Sequence, residues 1–172
     1  MTSMRDSPGG RVVLRSTPAP PGIQSAFAAL GRHLELEDFA MDDEGWASFE
    51  VDGRLQVEVG WLDDGAGLMM LADLAREITA KDASTMVALM QLAHETWLAG
   101  DGQIGLTRDA VPRVVVMQRA DPQRLDHQGI CRAMDAFLDL VDDALALCAM
   151  GPELHWPGTQ VEAGWPACGQ RA

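Results

Sequence analysis

Apolar and polar residues alternate along two neighbouring segments, 46–51 and 54–61, on either side of Asp52-Gly53. A period of two is typical of a strand with one buried face, and Asp-Gly suits the tight turn that joins antiparallel strands. In the second segment the odd positions from Leu55 to Trp61 are all apolar, whereas the even positions are polar or glycine. The pattern therefore predicts a β-hairpin with one apolar face.

Three other segments repeat apolar residues every three or four positions, which is the period of an amphipathic helix. With a proline-containing first turn and with Asp82 and Asp126 as N-caps, the predicted helices span 22–33, 82–100 and 126–149. Shorter apolar runs predict strands near 68–71, 103–106 and 113–119. The order helix, three strands, helix, two strands, helix predicts an α+β domain, with a twisted, mainly antiparallel sheet and the helices packed on it.

The two ends of the chain differ in composition from its middle. Residues 1–21 are rich in proline and glycine and are predicted to form a flexible leader, with residues 22–150 as one domain. Residues 151–172 are again rich in proline and glycine but contain Trp156 and Trp165, so part of this tail could dock on the domain.

The helix predicted at 82–100 is apolar around most of its circumference. Met86, Met90, Ala93 and Trp97 form one stripe, and further apolar residues lie beside it. A helix of this kind must be covered on both sides. One side can pack on the sheet, and we interpret the other as a contact with a second copy across a two-fold axis. The alternative is a helix buried within the monomer.

The chain is acidic, with a net charge of −13 and a pI near 4.5. Residues 35–64 contain eleven carboxylates and one arginine, Arg54, and so carry most of this charge. Such a balance excludes nucleic acid and anionic membrane surfaces as expected partners, because both require clustered Lys and Arg. We expect no membrane insertion, since no apolar run reaches about 18 residues. Three cysteines without C-x-x-C spacing and no signal peptide indicate a reduced, cytoplasmic protein.

Candidate chemistry is sparse. None of the four histidines has zinc-site spacing, and Asp42-Asp43-Glu44-Gly45 resembles a calcium loop only in composition. Nucleophile-elbow and phosphate-binding motifs are missing, so the sequence predicts no catalytic residue, no metal and no cofactor. Methionine is abundant, with ten residues, several of them on predicted strands or on the apolar helix. Methionine side chains adapt to varied partners, so a methionine-lined surface could bind several sequences, but core packing is the favoured interpretation of these residues.

Several segments together resemble the class I chaperones of type III secretion, the Tir-chaperone (CesT) family. The resemblance covers about residues 22–149 and lies in the element order and in five segments: Leu-Glu-Leu-Glu-Asp (34–38), Phe-Glu-Val-Asp-Gly-Arg-Leu (49–55), Leu-Met-Met-Leu (68–71), Leu-Ala-Gly-Asp-Gly (98–102), and Gly-Leu with Val-Val-Val-Met-Gln-Arg (105–119). It implies a cytosolic, non-enzymatic homodimer that binds the N-terminal segments of secreted effector proteins. It also implies the secretion-system ATPase as a candidate further partner.

The resemblance also implies which residues make contacts. The dimer interface would contain Met86, Leu89, Met90, Ala93 and Trp97. The effector-binding patches would contain Phe27, Leu30, Val57, Val59, Met69, Leu71, Val115 and Met117. The proline-rich leader and the tryptophan-containing tail depart from the compact family pattern, which suggests a chaperone that serves several effectors.

Two other functions compete with this interpretation. One is a dimeric binding or regulatory domain of the same fold that is unrelated to secretion. The other is a small enzyme that uses Asp42, Asp43 and Glu44 with a metal ion.

Overall fold

In the described part of the chain, three α-helices and five strands follow one another in the predicted order. The computed structural model describes residues 20–37, 39–62, 67–100 and 102–150, so most of the predicted leader and all of the predicted tail lie outside it. The elements are α1 (Pro21–His33), β1 (Trp46–Val51), β2 (Leu55–Leu62), β3 (Gly67–Glu77), α2 (Ala83–Ala99), β4 (Gln103–Leu106), β5 (Arg113–Ala120), a 3-10 turn (Pro122–Arg124) and α3 (His127–Ala149). The predicted α+β class is confirmed.

The strands form one antiparallel sheet in the order β1-β2-β3-β5-β4, so β1 and β4 are its edges. The predicted hairpin is confirmed: Val51 pairs with Leu55, and the backbone N–H of Arg54 donates to the Val51 carbonyl at 3.1 Å. Both turn residues have positive φ, 52° at Asp52 and 65° at Gly53. An Asp-Gly pair tolerates this left-handed conformation better than most dipeptides.

The third strand is longer than the predicted segment 68–71 and extends to Glu77. Its second half contains an irregularity between Asp73 and Glu77, where Ala75 has a φ of 51°. The Asp73 carboxylate accepts a hydrogen bond from the Ala75 N–H at 2.9 Å, which supports this bulge. Polar residues and the bulge break the alternation, so the pattern ends earlier than the strand does.

The hydrophobic core lies between one face of the sheet and the helices α1 and α3. Phe137, Leu30, Met70 and Val116 are fully buried there. Two polar contacts also join the helices: Ser25 Oγ lies 2.8 Å from His127 Nε2, and His33 Nε2 lies 2.8 Å from Asp135 Oδ1.

Helix α2 packs on β4 and α3, at one end of the sheet. Asp82 precedes it as predicted, but its carboxylate does not cap the helix. Instead it accepts hydrogen bonds from the Thr79 N–H and hydroxyl and pairs with Arg76 at 2.7 Å. These partners hold the pKa of Asp82 below its usual value, with the Thr79 hydroxyl as the main cause. In contrast, Asp126 caps α3 as predicted, because its side chain accepts from the Gly129 N–H at 2.6 Å.

Candidate functional site

An apolar stripe on α2 faces away from the domain. Val87, Met90, Trp97 and Leu98 are each more than half exposed, with Met90 and Leu98 at 66%. With His94 between them, neighbouring members are three or four residues apart, which places them on one side of the helix. His94 lies in the same stripe and its ring stacks against Trp97, with ring centroids 6.4 Å apart. We call these five residues the α2 stripe.

The five predicted dimer contacts fall on two sides of α2. Met90 and Trp97 belong to the α2 stripe, whereas Met86 and Ala93 are half-buried towards the domain. Leu89 is only 4% exposed and joins the hydrophobic core, which corrects its assignment to a dimer contact. The sequence interpretation missed Val87 and Leu98, because on an all-round apolar helix the pattern does not reveal which side the domain covers.

The sheet face that turns away from α1 and α3 is also partly apolar. Four of the predicted patch residues, Met69, Leu71, Val115 and Met117, lie on this face and are half-buried. Cross-strand pairing brings Leu71 of β3 directly opposite Met117 of β5. An ion pair between Arg113 and Asp73, with 3.0 Å between Nη1 and Oδ2, borders the apolar residues. We call these four apolar residues the outer-face patch.

The other four predicted patch residues lie in the core. Phe27 and Leu30 of α1 face the sheet, and Val57 and Val59 of β2 face α1 and α3. Each is 2% exposed or less, so the folded domain offers almost none of their surface to another protein. Their assignment to effector-binding patches is therefore corrected. The helix and strand faces with the most regular apolar pattern form the core of the domain.

A cavity of about 330 Å³ joins the α2 stripe to the outer-face patch. Trp97 lines one side, and Met69 and Met117 line the other. Helix α2 ends here at Gly100, whose φ of 80° gives the left-handed C-cap that turns the chain into β4. The two exposed apolar surfaces therefore meet at one corner of the domain.

The acidic loop before β1 is organised by its own carboxylate. Asp42 Oδ1 accepts from the backbone N–H of Glu44 at 2.9 Å and of Trp46 at 2.8 Å. Among the described residues, no group of three or more His, Cys, Asp or Glu side chains could hold a metal ion. Within the same described part of the chain, no helix is long and apolar enough to cross a bilayer.

Comparison with known proteins adds to this geometry. The model of the Tir chaperone protein (CesT) family matches residues 25–144. A comparison with curated protein sequences finds no match.

Similar folds occur among solved structures. The HopA1–SchA chaperone–effector complex contains a chain that is 16% identical, with a TM-score of 0.58, covering 74% of this chain and 99% of that one. The ExsC–ExsE complex contains a chain that is 17% identical, with a TM-score of 0.58, covering 77% of this chain and 95% of that one. The complex of the Yersinia pestis type III secretion chaperone SycH with a stable fragment of YscM2 contains a chain that is 17% identical. The TM-score is 0.54, and the match covers 73% of this chain and 98% of that one. These likenesses support the fold, and the family match covers most of the chain. The chain belongs to the Tir chaperone protein (CesT) family.

Proposed function

We propose that this protein is a cytoplasmic type III secretion chaperone. It binds the N-terminal segments of effector proteins, keeps them soluble and export-competent, and delivers them to the secretion apparatus. The observation that carries the proposal is the match of residues 25–144 to a family of secretion chaperones. Two of the structures with a similar fold are, by description, the HopA1–SchA chaperone–effector complex and the type III secretion chaperone SycH in complex with a stable fragment of YscM2.

The exposed apolar surfaces suit this role. The α2 stripe and the outer-face patch offer aliphatic and methionine side chains that can adapt to different client sequences. A protein with uncovered apolar surface is prone to self-association, and the net charge of −13 opposes that tendency. The domain can therefore present apolar surface to a client while remaining dispersed.

We place the homodimer contact on the α2 stripe. Four large apolar side chains, each more than half exposed, lie on one side of a helix at the end of the sheet. Burying such a stripe against the same stripe of a second copy satisfies the self-complementarity that a two-fold interface requires. The outer-face patch, which meets the stripe at Trp97, remains the proposed client surface.

The proposed activity is binding rather than catalysis. Holding a client in extended form uses main-chain hydrogen bonds to a sheet edge and side-chain pockets, and it needs no nucleotide. The secretion-system ATPase is the proposed recipient of the loaded chaperone. No residue of the described structure is assigned to that contact.

Co-purification tests the function. The full-length chain, carrying an affinity tag, is expressed in its native host, and the bound proteins are identified by mass spectrometry alongside the proteins of the culture medium. We expect at least one bound protein to be found also in the medium, and to disappear from it when the chaperone gene is deleted. Recovery of non-secreted proteins alone would favour the regulatory domain and refute the secretion role.

A further inference from the structure

An open cavity of about 480 Å³ lies between α1 and the segment 39–45 that leads into β1. Its apolar walls come from Phe27 and Ala28 on α1 and from Phe39 and Met41 on the segment. The ring of Phe39 stacks on Phe27, with centroids 5.6 Å apart and planes 9° apart. It also meets Phe49 of β1 edge-on, again with centroids 5.6 Å apart. Phe39 therefore anchors the segment to both elements.

The rim of this cavity is acidic. Asp42 and Asp43 line it and are exposed. One oxygen of Asp42 is occupied by the two backbone N–H groups that shape the loop. No described residue forms a hydrogen bond or ion pair with the Asp43 carboxylate or with the second oxygen of Asp42. With respect to the described part of the chain, two carboxylates thus stand beside an apolar pocket with acceptor capacity left over.

The cavity adjoins the free edge of the sheet. The Trp61 N–H donates to the Gly45 carbonyl at 3.0 Å, and the register of β1 with β2 continues from that pair. Because paired and outward-facing residues alternate in an antiparallel ladder, the backbone groups of Ser48 and Glu50 point away from β2. Those of Trp46 also point outward, but Asp42 already bonds to both. An extended chain that paired with Ser48 and Glu50 would run beside the cavity.

We propose that this cavity selects client segments that carry an arginine or lysine two positions from an apolar residue, so that both side chains leave the extended segment on the same side. The apolar side chain enters between Phe39 and Ala28, and the cation pairs with Asp42 and Asp43. This inference rests on the proposed function and specifies the chemistry of its clients. Each contact alone is weak, since exposed ion pairs contribute little. The cavity would select among client segments because a segment must make both the apolar contact and the ion pair along one extended strand.

A random dodecapeptide library displayed on phage provides an unbiased probe. It is panned against the full chain and against the double variant Asp42→Asn/Asp43→Asn. Asparagine keeps the side-chain oxygen that accepts from Glu44 and Trp46, so the loop is preserved while two charges are removed. The matched control is Asp142→Asn/Asp143→Asn, which removes two exposed charges from α3, remote from the cavity in sequence.

We expect arginine or lysine two positions from Val, Leu, Ile or Phe to be enriched about threefold to fivefold on the wild type and on the control. This enrichment should vanish on Asp42→Asn/Asp43→Asn. Ala28→Trp, which fills the cavity from an exposed helix position, should abolish the apolar preference, whereas Ala136→Trp on α3 should not.

Three results would overturn the inference: no enriched sequence, apolar enrichment without a basic residue two positions away, or basic enrichment that persists on Asp42→Asn/Asp43→Asn. The last would reveal general attraction to an acidic protein. None of the three affects the co-purification result, so the client chemistry can fail while the chaperone function stands. Loss of the secreted proteins from the co-purification would refute the function itself.

Discussion

The indole ring of Trp46 lies against Gly60, its cross-strand partner on the outer face of the sheet. A Cβ added to Gly60 would come within 2.4 Å of Cε3 and within 2.6 Å of two further ring atoms. Three ring atoms at nearly equal distance show that the face of the indole covers the glycine. The glycine in β2 is therefore required by its neighbour rather than by its own backbone conformation.

Gly60→Ala should lower the free energy of unfolding by about 1–3 kcal/mol, because the methyl group displaces the Trp46 ring. Urea unfolding followed by tryptophan fluorescence measures the change. Gly22→Ala is the matched control, since an added Cβ at Gly22 meets no atom within 4 Å. Equal stability of the two variants would contradict the close packing of Trp46.

Met90→Glu should convert the proposed dimer to a monomer. The glutamate places a charge in the α2 stripe without disturbing the monomer, because Met90 is 66% exposed. Light scattering should give about twice the chain mass of 18.6 kDa for the wild type and the single mass for the variant. Ala136→Glu, an exposed position on α3, should leave the dimer intact. A monomeric wild type at micromolar concentration would refute the proposed interface.

Leu71→Ser should reduce the amount of secreted protein that co-purifies with the chain by roughly tenfold, because it removes apolar area from the centre of the outer-face patch. Quantitative mass spectrometry of the bound fraction measures the loss. Leu138→Ser changes a similarly half-buried leucine on α3 and should retain the clients. If both variants lose clients equally, reduced stability rather than the patch explains the effect.

Asp82→Asn should destabilise the protein at neutral pH but not in strong acid. Hydrogen bonds from Thr79 lower the pKa of Asp82, so the charged carboxylate stabilises the fold at pH values above its usual 3.8. That stability is lost as the pH falls through the lowered pKa of the folded state. The urea midpoints of the wild type and Asp82→Asn should therefore differ at pH 7, approach each other as the pH falls below 3.8, and coincide only below the lowered pKa of the folded state. Asp142→Asn controls for the removal of one charge, and a constant gap between wild type and Asp82→Asn would contradict the linkage.

The cysteines Cys131 and Cys148 should react slowly in the folded protein. Burial raises the pKa of both thiols, so little of the reactive thiolate is present near neutral pH. Iodoacetamide labelling at pH 7.5, mapped by peptide mass spectrometry, should be at least about tenfold slower at Cys148 in the native state than in urea. Glutathione added to the same sample gives the labelling rate of a fully accessible thiol for comparison. Equal labelling of Cys148 in both states would show that its side chain is accessible.

Much of the fold could be predicted because local chemistry and tertiary packing agree. Alternation identified β2, and Asp52-Gly53 identified its turn, since both signals act within a few residues. The length of β3 could not be predicted, because the bulge at Ala75 and the polar residues around it interrupt the period. Such a strand is recognised only when β2 and β5 are seen on either side of it.

The candidate site was predicted less well, for a related reason. A regular apolar face in the sequence indicates the side of an element that packs in the domain's own core. Phe27 and Val57 lie on such faces, and both proved to be core residues. Phe39 gave no periodic signal, because it is a single aromatic residue in an acidic loop. Its importance follows from contacts with α1 and β1, which are distant in the sequence.

The strand order also sets a minimum length for a shared client. β1 and β4 lie at opposite edges, four strand spacings apart, or about 19 Å. If the two sheets of a dimer joined through α2, next to β4, lie end to end, the two β1 edges point outward and are about 40 Å apart. At about 3.3 Å per extended residue, one polypeptide that engages both edges must contribute roughly twelve residues to the crossing alone. Shorter segments can occupy one protomer only, so client length would determine how many chains a dimer carries.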